Sequence, residues 1–280
     1  MSHGTAIRQR LLAWMRSWDS CAVAFSAGVD STVVAKAARE VLGHRAVAVT
    51  GTSASLAEGE LEQARELARL IGIRHEVIDT GELDSADYTR NAPDRCYHCK
   101  TELYTHLDRL KVAVVVNGAN ADDAADYRPG TVAAGEHQVR SPLAECGITK
   151  QQVRELAAYW KLPVWDKPAT PCLASRVAYG EEVTPQRLAM IDRAEQYLRA
   201  LGLRTVRVRY HRGDLARLEV PLEELPRLCQ EEVRRDLAAK FKSLGFKFVT
   251  LDLEGFRSGS LNDLLLVEDV KLCPPVAEKP

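Results

Sequence analysis

The stretch Cys21-Ala22-Val23-Ala24-Phe25-Ser26-Ala27-Gly28-Val29-Asp30-Ser31 decides the fold. Its first five residues are apolar throughout, as in a strand buried on both faces. Small residues and one aspartate follow, and from Ser31 to Leu42 the pattern turns helical. A strand that passes through such a loop into a helix aims consecutive N–H groups and the helix N-terminus at one anion. Gly28 permits close approach, while Ser26 and Ser31 can donate from their hydroxyls. Asp30 is out of place beside a bare phosphate and makes sense where Mg²⁺ bridges the two. The loop lacks the Gly-Lys-Ser/Thr ending that goes with γ-phosphate transfer.

Outward from the loop, strands and helices alternate. Arg45–Thr50, Arg74–Asp79 and Val112–Val116 read as strands, with a shorter one near Val139–Pro142. Leu56–Ile71, Thr101–Leu110 and Lys150–Trp160 have helical spacing. The expectation is an α/β fold: a doubly wound, mostly parallel sheet with helices on both faces. Trp165–Arg176 contains two prolines and no period, and reads as a crossover loop. Beyond it, Thr184-Pro185 marks a helix start. A helix to about Leu201, strands at Thr205–Tyr210 and Ala216–Val220, a helix at Glu231–Ser243 and a strand at Lys247–Leu251 follow. This order predicts a smaller α+β C-terminal domain, with boundaries at 1–170 and 171–280.

The chain of 280 residues is 46% hydrophobic and 28% charged, enough to give each domain its own core. Thirty-eight Lys and Arg against 39 Asp and Glu exclude a generally basic nucleic-acid binder. Without a signal-like segment or a long apolar run, the reading is a cytoplasmic protein with no membrane partner. Its seven cysteines then read as thiols rather than disulfides.

Cys96-Tyr97-His98-Cys99 is a C-x-x-C pair, which by itself suits zinc, an iron–sulfur cluster or redox chemistry. It follows the loop Asn91–Arg95 rather than a strand, which argues against a thioredoxin-like site. Cys172, in Pro171-Cys172-Leu173-Ala174-Ser175-Arg176, is the third candidate, and Arg176 nearby would favour its thiolate. Cys21, Cys146, Cys229 and Cys273 read as core fillers or incidental thiols. Between Arg199 and Arg217 stand six arginines and one acid, Asp214. Arg207 and Arg209, two apart on a strand, point to one face, and guanidinium forks suit phosphate and carboxylate. Tyr210 is the lone stacking aromatic there, which argues against RNA.

The loop Ser26–Ser31 resembles the SGGxDS pyrophosphate loop of the N-type ATP pyrophosphatases, the PP-loop or adenine nucleotide alpha hydrolase-like fold. Ala27 stands where the commonest pattern has glycine. Asp94-Arg95-Cys96-Tyr97-His98-Cys99-Lys100, Asn117-Gly118-Ala119-Asn120-Ala121-Asp122-Asp123, Asp126-Tyr127-Arg128-Pro129-Gly130, Pro171–Arg176, Arg207–His211 and Ala216–Glu219 follow in one order. Together they resemble the LarE family of ATP-dependent sulfur transferases over roughly residues 10–260.

The resemblance implies adenylation of a pyridinium-3,5-dicarboxylate mononucleotide and conversion of its carboxylates to thiocarboxylates. The product is a precursor of the nickel-pincer nucleotide cofactor of lactate racemase. It implies ATP and Mg²⁺ at Ser26, Ala27, Gly28, Val29, Asp30, Ser31, Gly118 and Asn120. Cys172 matches the sulfur-donating cysteine of one branch. Cys96, Cys99 and Cys172 together match a branch that holds a 4Fe–4S cluster. Asp30 and Glu195 are further catalytic candidates, the latter as a proton acceptor. Arg176, Arg207, Arg209 and Arg257 are candidates for the substrate's phosphate and carboxylates. Asp122, Asp123 and Arg128 have no fixed role, and a homo-oligomer, hexameric in the family's manner, is what the resemblance implies. The competing readings are a tRNA-thiolating or amide-forming relative, and a nucleotide sensor with a structural zinc.

Overall fold

The computed structural model describes residues 3–125, 129–168, 170–257 and 259–261. Asp126, Tyr127, Arg128 and Cys273, named above, lie outside the described residues. The chain divides into two compact units. Met1–Ser53, Glu58–Glu82 and Cys96–Thr170 form one; Ala54–Ala57, Leu83–Arg95 and the chain from Pro171 onward form the other.

The first unit opens with α1 (His3–Arg16), a helix that the sequence reading passed over. Ile7, Leu11, Leu12 and Met15 make its buried stripe, at the spacing a helix requires. Then come β1 (Cys21–Ala24), α2 (Val29–Leu42), β2 (Ala46–Thr52), α3 (Glu60–Ile71) and β3 (Arg74–Asp79). The short α4 (Ala86–Thr89) belongs to the second unit. Next are α5 (Arg95–Leu107), β4 (Val114–Val116), α6 (Pro129–Glu136), α7 (Pro142–Glu145) and α8 (Lys150–Tyr159). The four strands pair in parallel in the order β3-β2-β1-β4, with Cys21 beside both Ala46 and Val114. Cys21, Val23 and Phe25 face a core with residues of α1, α2, α3 and α8, whereas Ala22 and Ala24 face Tyr104, Leu107 and Ala133. Helices on both faces confirm the doubly wound α/β class.

Two local expectations change. The segment Val139–Pro142 contributes only a bridge between Arg140 and Val116, because Pro142 lacks an N–H and instead opens α7. The helix expected from Thr101 begins at Arg95, so the C-x-x-C pair lies on the helix rather than ahead of it.

The second unit holds α9 (Pro185–Ala200), β5 (Arg207–His211), β6 (Leu215–Glu219), α10 (Leu225–Leu228), α11 (Glu231–Ser243) and β7 (Phe248–Leu251). Thr184 caps α9, its side chain accepting from the Arg187 N–H, with Pro185 in the first turn. The sheet order is β5-β6-β7, antiparallel then parallel. Val208, Tyr210, Ala216 and Leu218 are buried apolar positions, with the Tyr210 and Phe246 rings 6.2 Å apart. Arg207, Arg209 and His211 alternate onto the opposite face, where Arg209 stands beside Arg217 and Arg207 beside Glu219.

Candidate functional site

In the first unit the loop is built largely by its own residues. Gly28 is the N-cap of α2 in extended conformation, and its carbonyl accepts from the Thr32 N–H and hydroxyl at 3.0 and 2.8 Å. The hydroxyls of Ser26 and Ser31 lie 3.2 Å apart, drawing the ends of the loop together. Ala27 has φ +56°, a left-handed conformation that glycine adopts without strain and alanine does not. That is the physical reason for glycine in the commonest pattern, and this chain tolerates the alanine there as a buried residue.

One long-range residue completes the loop. A Cβ on Gly118 would stand 2.7 Å from the Ser31 nitrogen and 3.1 Å from the Asp30 carbonyl carbon. Only a residue without a side chain can follow β4 so closely against the start of α2.

Asp30, in the first turn of α2, is engaged on both oxygens. The Asn120 amide donates to Oδ1 at 3.2 Å, and Lys150 Nζ forms an ion pair with Oδ2. Sequence reasoning missed Lys150. A capping box at Thr149, reciprocated by Gln152, places it at the start of α8, but nothing local announces a partner 120 residues away. Asp122 and Asp123 shape this loop: Asp123 accepts from the Asn120 N–H at 3.0 Å, and Asp122 from the Lys150 N–H at 2.8 Å. Beneath the loop, Thr50 donates to the Phe25 carbonyl and stands 2.8 Å from His75 Nε2. With the hydroxyl proton so used, the imidazole is the donor in that contact. Burial, and secondarily Arg65, lower the His75 pKa from 6.5.

The described cysteines differ in exposure, and Cys229, read as incidental, is exposed. Cys21 and Cys146 are buried; burial pushes the Cys21 thiol up to about 12 and raises that of Cys146. Cys96 is exposed and Cys99 half-buried, one turn apart on α5, and Cys172 is exposed in the second unit. These accessible thiols suit iron or zinc by donor chemistry, whereas the buried ones do not. Among the described residues, no three His, Cys, Asp or Glu side chains are gathered as for a metal ion. The described residues therefore supply the ligand type without an assembled site.

In the second unit, Arg176 and Glu195 form a fully buried ion pair, Nε to Oε1 at 3.0 Å. Glu195 Oε2 also accepts from Arg199 at 2.7 Å. Expected as a proton acceptor, the carboxylate has both oxygens engaged. Arg176, expected near the thiol and at the substrate, spends its guanidinium on Glu195 and on backbone carbonyls instead. Arg209 donates to Glu219 at 2.8 Å, to Ser260 and to the Ser175 carbonyl. Arg217, on the same strand as Glu219, shares that carboxylate and reaches Asp252.

Arg207 is nine-tenths buried over the Phe256 ring. Burial, then the nearby Arg176, lower its pKa to about 10. Five arginines here, Arg176, Arg199, Arg207, Arg209 and Arg217, answer to Glu195, Glu219 and Asp252. His211 Nε2 and the Nε atoms of Arg209 and Arg217 are buried without a hydrogen-bond partner among the described residues. Arg257 is exposed and pairs with Glu254 at 2.5 Å.

Comparison with known proteins agrees with this geometry. The asparagine synthase family model matches residues 6–123, the segment that contains the loop and β4. Argininosuccinate synthase of Halobacterium salinarum is 28% identical over 158 residues, 51% of this chain and 40% of that one. The first unit is therefore that of an ATP-using enzyme of the PP-loop superfamily. Pyridinium-3,5-bisthiocarboxylic acid mononucleotide synthase of Lactiplantibacillus plantarum is 38% identical over 262 residues, 91% of this chain and 93% of that protein. The Synechocystis protein slr1717 is 49% identical over 251 residues, 88% and 93% of the respective chains. The chain belongs to the LarE family of ATP-dependent sulfur transferases. No helix among the described residues is long and apolar enough to cross a membrane.

Proposed function

We propose that the protein adenylates the carboxylates of pyridinium-3,5-biscarboxylic acid mononucleotide and replaces carboxylate oxygen with sulfur, in nickel-pincer cofactor synthesis. What supports this reading most is one chain carrying both an ATP loop and accessible thiols at Cys96, Cys99 and Cys172. The name of the L. plantarum relative supplies the substrate class.

A carboxylate resists nucleophiles because its charge repels them and its oxygen is a poor leaving group. Its oxygen attacks the α-phosphorus of ATP, pyrophosphate departs, and an acyl adenylate remains. Ser26, Gly28 and Ser31, with the start of α2, hold the phosphates. Asp30 would hold Mg²⁺, which neutralises charge on the departing pyrophosphate. A sulfur nucleophile then adds to the acyl carbon and AMP leaves. Cys96, Cys99 and Cys172 would hold a 4Fe–4S cluster, which when bound offers a sulfide and spares the protein. Without it, the Cys172 thiolate adds, its Cα proton goes to a base, and the Cβ–S bond breaks to leave dehydroalanine. The arginine-rich sheet face, with Arg257, supplies cations for the substrate's anionic groups. The enzyme works in the cytoplasm as a homo-oligomer.

The test is anaerobic purification, with iron, sulfide and zinc measured before assay of ATP-dependent pyrophosphate release on the pyridinium dicarboxylate nucleotide. Expected are about four irons per chain and substrate-dependent pyrophosphate. Zinc without iron, and no such release, would overturn the reading. Loss of the mass of hydrogen sulfide from Cys172 after turnover would assign the sacrificial route.

A further inference from the structure

Cys172 carries an exposed thiol on a backbone held by buried charge. One edge of the Arg176 guanidinium faces Glu195, Nε to Oε1 at 3.0 Å and Nη2 to Oε2 at 3.3 Å. The remaining nitrogen, Nη1, donates to the Pro171 carbonyl and, at 2.9 Å, to the Cys172 carbonyl. These are the two peptide oxygens that bracket the Cys172 α-carbon. Ser175 Oγ donates to the same Cys172 carbonyl at 2.7 Å and accepts from Nη1 at 3.1 Å. Glu195 is itself fixed by Arg199 at 2.7 Å and by the Val208 N–H of β5 at 3.2 Å. The sulfur-bearing turn is thus tied through one ion pair to α9 and β5.

We propose that Arg176 and Glu195 are positioning residues for Cys172, locking the peptide groups on either side of it so that its accessible sulfur keeps one direction, as a cluster ligand or as the attacking thiolate. The inference rests on the reading of Cys172 as the residue that handles sulfur. A buried ion pair is a weak source of net stability, so specification of geometry is the better account of this one. It differs from a catalytic role for Glu195, whose oxygens are both engaged. It differs too from a charge effect of Arg176 on the thiol, since its positive charge is answered by a carboxylate at hydrogen-bond distance. An exposed turn without the clamp would sample several backbone states. Lysine could keep the charge but not the planar fork that reaches the carboxylate and two carbonyls together.

The experiment separates adenylation from sulfur transfer in the full-length enzyme. ATP–pyrophosphate exchange reports the first, and thiocarboxylate formation the second. Arg176→Lys is expected to lower kcat for sulfur transfer about 10²-fold, the scale of a small misplacement at a reacting centre. Exchange rate and KM for ATP should stay near wild type. Ser175→Ala, which disturbs no buried charge, should show the same split with a smaller loss and a wild-type melting curve. Glu195→Gln should lower the pH–rate profile without changing its shape, because a positioning group moves no proton. Should Arg176→Lys fail to fold, the other two variants decide.

Wild-type sulfur transfer in Ser175→Ala and in folded Arg176→Lys would overturn the proposal. So would loss of the basic limb of the profile in Glu195→Gln. Cys172→Ala keeps the two readings apart. Full sulfur transfer in that variant removes the role assigned to Cys172. Its loss beside wild-type turnover in Ser175→Ala and Arg176→Lys defeats only the positioning role.

Discussion

At Ser26–Ser31 the groups offered to a ligand come from a short continuous peptide between a strand and a helix. At Cys172–Arg176 the offered group is one side chain, and what holds it arrives from α9 and β5. The first region uses small residues and little charge; the second buries Arg176 and Glu195 completely. The difference follows from the ligand groups. Phosphates can be held by backbone N–H groups that local geometry aims, whereas an attacking sulfur needs one side chain placed by its surroundings.

The largest effect expected from breaking this contrast lies in the second region. Arg176→Met leaves Glu195 buried with only Arg199 and a backbone N–H, and should destabilise the protein by about 3–5 kcal/mol in urea unfolding. The double variant Arg176→Met/Glu195→Leu should recover much of that loss. A single-variant change below about 1 kcal/mol would show that the pair is not the unit described.

In the first region Gly118→Ala is the corresponding break. Its methyl must displace backbone at Ser31, so pyrophosphate release should fall about 10²-fold with the C-terminal unit intact by proteolysis. Unchanged release would mean that the loop shifts freely, contrary to a fixed cradle.

Acid provides a milder probe. The folded protein resists protonating His75, while the unfolded chain takes up that proton as pH drops below 6.5. Stability should therefore fall as pH decreases through that range and on toward the lowered folded value. His75→Gln should flatten this part of the stability profile, and an unaltered slope would remove His75 from the account. The smallest change expected is Ala27→Gly. Relief of the left-handed strain opposes the added freedom of the unfolded chain and the lost methyl, leaving a net effect within about 1 kcal/mol by thermal melting. A larger destabilisation would show that methyl packing, rather than backbone conformation, dominates there.

Much of the fold was legible because periodicity and turn chemistry are local. The strands Cys21–Ala24 and Arg74–Asp79 and the helix Glu231–Ser243 stand close to or at the expected positions. The C-x-x-C segment was harder to read: the helical spacing pointed to a start at Thr101, whereas α5 begins at Arg95 and takes in both cysteines. Lys150 could not be matched to Asp30, nor Arg176 to Glu195, because no pattern along the chain encodes a partner across so many intervening residues.

The sequence by itself determined the α/β class, the anion loop and the identity of the candidate thiols, since these depend on residue type and short-range spacing. Only the tertiary structure decided which charges are consumed in pairs, that Gly118 abuts the loop, and that Cys21 is sealed while Cys172 is accessible. Burial and pairing depend on what the fold brings alongside a residue. That is why two arginines read alike as ligand candidates, Arg176 and Arg257, end with one fully buried in an ion pair and the other on the surface.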